Sequence, residues 1–538
     1  MSKSLYDIEY QNIPGMRPSV CQINENSNSS AIFTSIINTS NNYNLKYPAI
    51  TDPTVIQIIN ANPNVMNAIG TNINIGSIIN TMDIDTNNNI LYIGGTFTTI
   101  QINGSSVVQN NIAAYDITNN IFLSIPAFGT NINTTYGITG TTNEPTSFTS
   151  PVVRKIIFDN INNLLYICGN FSNVSSSNGS YAYKSLAIFG TKSNTHNSYN
   201  WLNISSLTNP ISLNATIYAI ALYRNSYNNT LYIGGTFTVI GGNGQKNFSS
   251  ISFTGVDTSN MIGKWNIITN GLTLNSLITT AYCYTLLLND TTLYIGGTFD
   301  SAGNIAQSNI TSYNIITDIW DSVSKWKDTN NKVGLRMYVN STNTFSTSVA
   351  SCNALLLYNN NLYIGGKFTN AGDKTQMCIA QYNILTNKWI YNSEFNYLVL
   401  NSSNTLSSGT ISQIIYNISI DTTYNLLYLG GSFTNNNNGT TNSNFCIYNL
   451  STNLFLKNDL SFSSNIFNIL MSSDKLYICG QFTNISKQTV SPGIVSLNLK
   501  NATFVNNIDN SKLQLITGTG FGNTFYYNNN TWNNSSIR

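Results

Sequence analysis

A chain of 538 residues, 41% hydrophobic and 12% aromatic, can bury a large core, and its length alone would allow about two to four ordinary domains. Charged residues make up only 8%, against roughly 25% in an ordinary globular protein. With a net charge of +2 the chain has no basic stripe to neutralise phosphates and no polybasic patch, which argues against nucleic-acid and membrane-surface binding. About 90 asparagines, with abundant Ser and Thr, stand in place of the missing charge.

The chain opens with Met1-Ser-Lys-Ser-Leu-Tyr-Asp-Ile-Glu-Tyr10, which lacks the apolar stretch of a secretory leader. No later run is long and apolar enough to span a bilayer. Ser19–Asn24 and Ala31–Ile36 then read as two short strands without a nearby partner.

From residue 91 a repeat takes over. Leu91-Tyr-Ile-Gly-Gly-Thr-Phe97 returns with small changes at Leu165, Leu231, Leu293, Leu362, Leu427 and Leu476, at steps of 74, 66, 62, 69, 65 and 49 residues. An apolar run such as Ile217–Tyr223 precedes each copy, separated from it by an Asn/Asp/Ser turn, so the pair reads as an antiparallel hairpin. A third apolar stretch follows, ending in tails such as Tyr115-Asp-Ile-Thr-Asn-Asn-Ile-Phe122 and Tyr382-Asn-Ile-Leu-Thr-Asn-Lys-Trp389. Their Thr-Asn or Thr-Asp centres suit a tight turn, because Asn and Asp tolerate the left-handed conformation, and the closing aromatic starts a fourth strand. Four strands per unit predict a propeller blade.

The motif's chemistry agrees. Leu-Tyr-Ile is apolar on both faces, as in a sheet covered on both sides. The Gly pair permits close backbone approach or a bulge, and the Phe beyond it folds over the interface between blades. Cys168 and Cys479 replace the first Gly in two copies, so that position accepts a small side chain. The seven cysteines (with Cys21, Cys283, Cys352, Cys378 and Cys446) contain no Cys-x-x-Cys pair and read as buried reduced thiols, with Cys21, Cys378 and Cys446 on third strands.

Past the seventh copy, Ile494–Asn498 and Ala502–Asn506 read as its outer strands. That leaves a hairpin of Leu513–Thr517 and Thr524–Asn528. With the two N-terminal strands it would make an eighth, closing blade shared by both termini. The expected organisation is a single all-β propeller of eight four-stranded blades. Residues 1–44 and 508–538 would supply the closing blade and 45–507 the seven repeats; seven blades with terminal additions is the alternative.

The Gly-Gly-x-Phe motif with its Tyr-Asn…Trp tail resembles kelch-type propeller repeats, in the variant found in fungal cell-polarity marker proteins. Similar Asn-rich repeat proteins occur in giant DNA viruses of amoebae. The resemblance covers about residues 75–507 and implies a fold, while propellers host many unrelated activities. No helical oligomerisation or cullin-binding segment flanks the repeats, which disfavours a ubiquitin-ligase adaptor.

Candidate chemistry is sparse. His196 is the single histidine, and it sits in the polar stretch Thr191–Asn200, where a surface loop is the plain reading. One histidine cannot supply the copper site of galactose-oxidase-like propellers, and no Gly-x-Ser-x-Gly elbow supports a triad. Asp83, Asp85, Asn87 and Asn89 alternate like calcium ligands, but the loop's Gly and closing Glu are missing. Equivalent turns carry Asp159, Asp290, Asp421 or Asp474 singly, as turn residues do. Gly241–Gly244 precedes no helix and is no phosphate cradle. Asn-x-Ser/Thr triplets at Asn103, Asn203, Asn247 and Asn340 are expected by chance in so Asn-rich a chain. No catalytic, cofactor or metal residue is assigned, and no cofactor is expected.

The function expected is a non-enzymatic structural or interaction protein, a component of a giant-virus particle or its surface layer. Its partners would be proteins, further copies of itself or glycans. The alternatives are a glycan-binding adhesin at a cell surface and, less favoured, a hydrolase or lyase. Loop faces and a central channel lined by Asn, Ser, Thr and Tyr are expected.

Overall fold

The computed structural model describes most of residues 78–507, apart from stretches that include 141–150, 192–198, 208–214 and 399–411. It also describes the strands Ile56–Ile59, Met66–Ala68, Asn523–Asn528 and Thr531–Ser536. Contacts divide the chain into two units, 61–502 and the terminal stretches 1–60 with 503–538.

Within 61–502 each repeat builds an antiparallel sheet whose strands follow the order first, second, third, fourth. Sheet one holds Ile78–Asp85, Ile90–Thr96, Ile112–Asp116 and Ile121–Leu123. Sheet two holds Val152–Asp159, Leu164–Asn170, Leu186–Gly190 and Asn200–Trp201. Sheet three holds Thr216–Arg224, Asn229–Thr236, Phe248–Thr254 and Ile262–Asn266. Sheet four holds Tyr282–Asn289, Thr292–Thr298, Ile310–Asn314 and Ile319–Trp320. Sheet five holds Ser351–Tyr358, Asn361–Lys367, Ile379–Asn383 and Lys388–Ile390. Sheet six holds Ile414–Asp421, Leu426–Asn435, Asn442–Asn449 and Leu454–Asn458. Sheet seven holds Ile466–Ser472, Lys475–Gly480, Ile494–Asn498 and, as its fourth strand, Met66–Ala68. The second strand always carries the Leu-Tyr-Ile motif.

The register between first and second strands slips once in every sheet, beside the Gly pair. The unpaired bulge residues are Asn80, Arg154, Tyr218, Tyr284, Asn353, Tyr416 and Phe467. At the second Gly, a Cβ would lie 1.9–2.2 Å from a carbonyl oxygen in all seven sheets, on the first strand in six and on Asn465, just ahead of it, in sheet seven. At the first Gly the obstacle is a side chain of the next sheet. A Cβ at Gly94 would meet Val153, one at Gly234 would meet Cys283, and one at Gly296 would meet Cys352. The second position therefore stays Gly even where the first is Cys168 or Cys479. The motif Phe is buried in every copy.

A left-handed residue just before each third strand clasps the motif. Asn111, Ser185, Asn247, Asn309, Cys378, Asn444 and Gly493 take φ between 63° and 77°. In six sheets its carbonyl accepts from the second Gly N–H and its own N–H donates to the motif Phe carbonyl. Where it is Asn, its Oδ1 also accepts from the N–H of Phe97, Phe237, Phe299 or Phe433 at 2.9–3.3 Å. Its Nδ2 donates at 2.8–3.0 Å to a carbonyl of the following connector, on Ile138, Leu272, Leu335 or Phe462. Cys378 is thus a clasp residue rather than a third-strand one, whereas Cys446 lies in its third strand as expected.

The hairpin turns share one frame. Asp85, Asp116, Asp159, Asn314, Asn383, Asp421 and Asn449 each accept from the N–H groups two and three residues on, at 2.8–3.2 Å. Four residues on, Asn89, Asn120, Asn163, Asp318, Asn387, Asn425 and Asn453 adopt φ of 53–57°. The aromatic tails pair across the third and fourth strands, as in Tyr115–Phe122, Tyr313–Trp320, Tyr382–Trp389 and Tyr448–Phe455. Four fourth-strand tryptophans also reach back to the connector before their own sheet. The indole N–H groups of Trp201, Trp265, Trp320 and Trp389 donate to the carbonyls of Ala127, Ser206, Thr269 and Trp326 at 3.0–3.3 Å.

The termini depart from the sequence reading. The strand expected to complete the seventh repeat forms at Phe504–Asn507 but pairs with Ile56–Ile59. Met66–Ala68 takes its place beside Ile494–Asn498. Asn523–Asn528 pairs with Thr531–Ser536, its immediate neighbour in sequence. The remaining strands expected of an eighth blade, 19–24, 31–36 and 513–517, lie outside the described residues.

Two predictions follow from this packing. Gly235→Ala sets a Cβ against the Thr216 carbonyl and should lower stability by about 1–3 kcal/mol. Gly234→Ala meets Cys283 instead, so Cys283→Ala should partly rescue it and leave Gly235→Ala unrescued, as read from urea midpoints. The second concerns pH. Cys168, Cys283, Cys352, Cys378, Cys446 and Cys479 are all buried free thiols, and burial pushes the Cys378 thiol up to about 12. A raised folded-state value favours the fold below the unfolded value and is lost above it. The thermal midpoint should therefore fall once pH passes about 9, where thiols of the unfolded chain ionise.

Candidate functional site

The run Asp83, Asp85, Asn87, Asn89 does not converge on a cation. Asp83 points toward sheet two, where Oδ2 accepts the Phe158 N–H at 2.7 Å, while Oδ1 accepts the Ile84 N–H at 2.9 Å. Burial pushes its carboxyl up, and those two bonds together with Lys155 pull the other way. Asp85 caps the turn, the Asn87 amide donates to the Asn160 carbonyl at 3.0 Å, and Asn89 is the left-handed residue. Among the described residues no three His, Cys, Asp or Glu side chains come together.

The other singled-out residues fall into structural places or outside the described residues. His196, Asn103, Asn340 and Asp474 belong to the latter. Asp290 takes a left-handed turn position, with φ of 50°. Gly241–Gly244 turns a short hairpin; a Cβ on Gly241 would enter the Trp265 ring. Asn247 is a clasp whose amide is bonded on both sides, so a glycan there would undo it, whereas Asn203 is exposed.

The surface that gathers chemically useful side chains is made by the bulges. In each first strand the residue before the bulge, Ile79, Val153, Ile217, Cys283, Cys352, Ile415 or Ile466, is fully buried. The bulge turns the next side chain out, leaving Arg154 exposed and the other six half-buried. Tyr284 meets Tyr218 edge-on at 5.4 Å and stacks on Tyr282 at 5.3 Å. The Arg154 guanidinium lies 5.8 Å above the Tyr218 ring, and Tyr416 contacts Phe467 at 5.3 Å. Burial, and then the neighbouring Tyr218, Tyr282 and Tyr416, push the Tyr284 phenol up. Sheets three and four therefore present tyrosines to the same surface. Asn80 donates to the Val153 carbonyl at 3.0 Å, and the Asn353 amide oxygen accepts from Ser351 at 2.6 Å.

The lining expected from composition, Asn, Ser, Thr and Tyr, is only part of what the bulges turn outward, which also includes Arg154 and Phe467. The sequence reading missed the bulge set. Its signal was parity: each bulge residue precedes its motif Leu by 9, 11 or 13 residues. The shift follows hairpin length and hides the column from a fixed-spacing search.

A separate cavity of about 400 Å³ lies at sheets six and seven, lined by Ser443, Ser461, Ser463 and Ser486 over Phe433 and Phe462. It opens where the motif step is shortest, 49 residues. Connectors after sheets one, two, four and five instead carry a 3₁₀ turn that buries Phe128, Leu207, Trp326 or Phe395.

No family model matches the chain, and no curated protein does. Among solved structures it is similar to the crystal structure of the computationally designed Ika8 protein, at 11% identity and a TM-score of 0.35. That alignment covers 80% of this chain and 97% of the other. So distant a likeness carries no argument for fold or function.

The Asp83 geometry makes a prediction. Asp83→Ala leaves the Phe158 N–H without its acceptor and should cost about 1–3 kcal/mol. Millimolar calcium should leave the wild-type melting temperature unchanged, since the surrounding oxygens already serve the backbone; calorimetry with and without the ion checks both.

Proposed function

We propose that the seven sheets are blades of one closed ring, a seven-bladed propeller of kelch-like repeats, and that this ring is a non-enzymatic interaction scaffold. Three observations support the ring. Each first strand packs on the next, and Ile466–Ser472 packs on both Ile414–Asp421 and Ile78–Asp85. Cys479 and Ile494 of sheet seven share a core cluster with Ile79, Met82 and Ile93 of sheet one. The last sheet takes its fourth strand from Met66–Ala68, ahead of the first repeat, so the two ends of the repeat array hold each other. An eighth blade would have to stand where sheets seven and one already touch.

The observation that carries the scaffold reading is the use made of the carboxylates. Asp83, Asp85, Asp116, Asp159 and Asp421 all accept backbone N–H groups. Asp159 also binds Arg224 of the next sheet at 3.0 Å. Catalytic pockets gather ionisable groups; these are distributed one per turn and hold the chain together. Low charge limits repulsion between packed copies, which suits a virus particle or surface layer, the setting of the Asn-rich proteins the repeats resemble. A cell surface is the alternative location. A second reading, glycan binding, is favoured by the half-buried, mutually packed tyrosines of the bulge surface.

Fractionation tests the first reading: the chain should sediment with purified particles, and broad hydrolase screening should find no turnover. Recovery only from the soluble fraction, or turnover lost on substituting a carboxylate, overturns it.

A further inference from the structure

The bulge surface combines features that select a ligand class. Tyr218, Tyr282 and Tyr284 brace one another edge-to-face and stacked, so the parts of these half-buried rings left to solvent are held rigid before anything binds. The bulge and the clasp beneath them hold the backbone on both sides. A rigid ring face attracts the polarised C–H groups of a pyranose, and little side-chain freedom is lost on contact. The first strands of sheets one and five, which pack on those of sheets two and four, add the half-buried neutral amides Asn80 and Asn353, which can both donate and accept, as sugar hydroxyls require.

Arg154 adds a charge requirement. Among the described residues the ion pairs are Arg224–Asp159, Lys325–Asp321 and Lys374–Asp373, so Arg154 pairs with no carboxylate. Asp83, the carboxylate beside Lys155, is bonded to the Phe158 and Ile84 N–H groups. The Arg154 guanidinium lies 5.8 Å from the Tyr218 ring centroid, and its planar fork is the group that matches a carboxylate with a two-point bond.

We propose that the bulge surface binds a carboxylated saccharide, with sugar rings on Tyr218, Tyr282 and Tyr284 and the carboxylate on Arg154. The inference rests on the glycan-binding reading and deepens it by naming the site and the acidic sugar.

Calorimetric titration of the full chain tests it with sialyllactose and a hyaluronan tetrasaccharide as acidic probes and lactose as the neutral one. At least one acidic probe should bind roughly tenfold or more tightly than lactose, and Arg154→Gln should abolish that margin. Tyr284→Ala should weaken acidic-probe binding about tenfold, with Tyr284→Phe retaining most of it. Arg154 is exposed, so its variant should melt like wild type and report on binding alone. Lactose bound as tightly as the acidic probes, or a margin that survives Arg154→Gln, overturns the inference and leaves the glycan-binding reading standing. If no sugar binds, both fall. The ring is checked independently with a Tyr284→Cys, Tyr416→Cys double variant and a short bis-maleimide. A cross-link supports the ring whether or not sugar binds, and no cross-link overturns the ring.

Discussion

At the second glycine of each repeat a carbonyl oxygen at the head of the first strand, or just ahead of it, stands 1.9–2.2 Å from where a Cβ would be. That close approach is the constraint on which the sheets depend. It lets the first strand carry a bulge, sinks one apolar side chain into the core and turns the next one outward. The first glycine accepts the neighbouring sheet's Val153, Cys283 or Cys352, so the same two residues set both the strand geometry and the contact between sheets. Fold and candidate site are thus products of one local device.

The composition becomes intelligible in the same terms. Every sheet needs left-handed residues, before its third strand and in its turns, and Asn takes that conformation at low cost while bonding the backbone with its amide. A clasp such as Asn309 is fully buried yet bonded to the Phe299 N–H and the Leu335 carbonyl. A charged residue there would be desolvated at far greater cost than a neutral amide. Asparagine does inside this fold what charged pairs and glycines do in others, and the scarcity of charge is a consequence.

Because those polar groups serve the backbone, the side chains left for the proposed recognition are those the bulges turn outward. In chain order they are Asn80, Arg154, Tyr218, Tyr284, Asn353, Tyr416 and Phe467, a mixture of aromatic, amide and cationic groups on a repeated frame. The frame requires only that a residue be extra at that point; it places no demand on its side chain. Variation is therefore free where the backbone leaves the ladder and absent at the glycine beneath it.

Much of the fold was legible in the residues themselves. Leu-Tyr-Ile, the Gly pair and the Tyr…Trp tails announced four-stranded sheets, because strand periodicity, tight turns and close backbone approach are local requirements written into neighbouring residues. The plain reading of Asp83–Asn89 as turn chemistry came from the same local rules. Three features depended on tertiary structure. The fourth strand of sheet seven is Met66–Ala68, more than 400 residues from its partner Val495–Leu497, and no local pattern encodes a pairing at that distance. The clasps bond across loops of differing length, so their Asn, Ser, Cys and Gly share a backbone angle and no common spelling. The meeting of Tyr218 with Tyr282 and Tyr284 likewise arises only when separate sheets are packed together, since sequence specifies the residue at each bulge but not which bulges face one another.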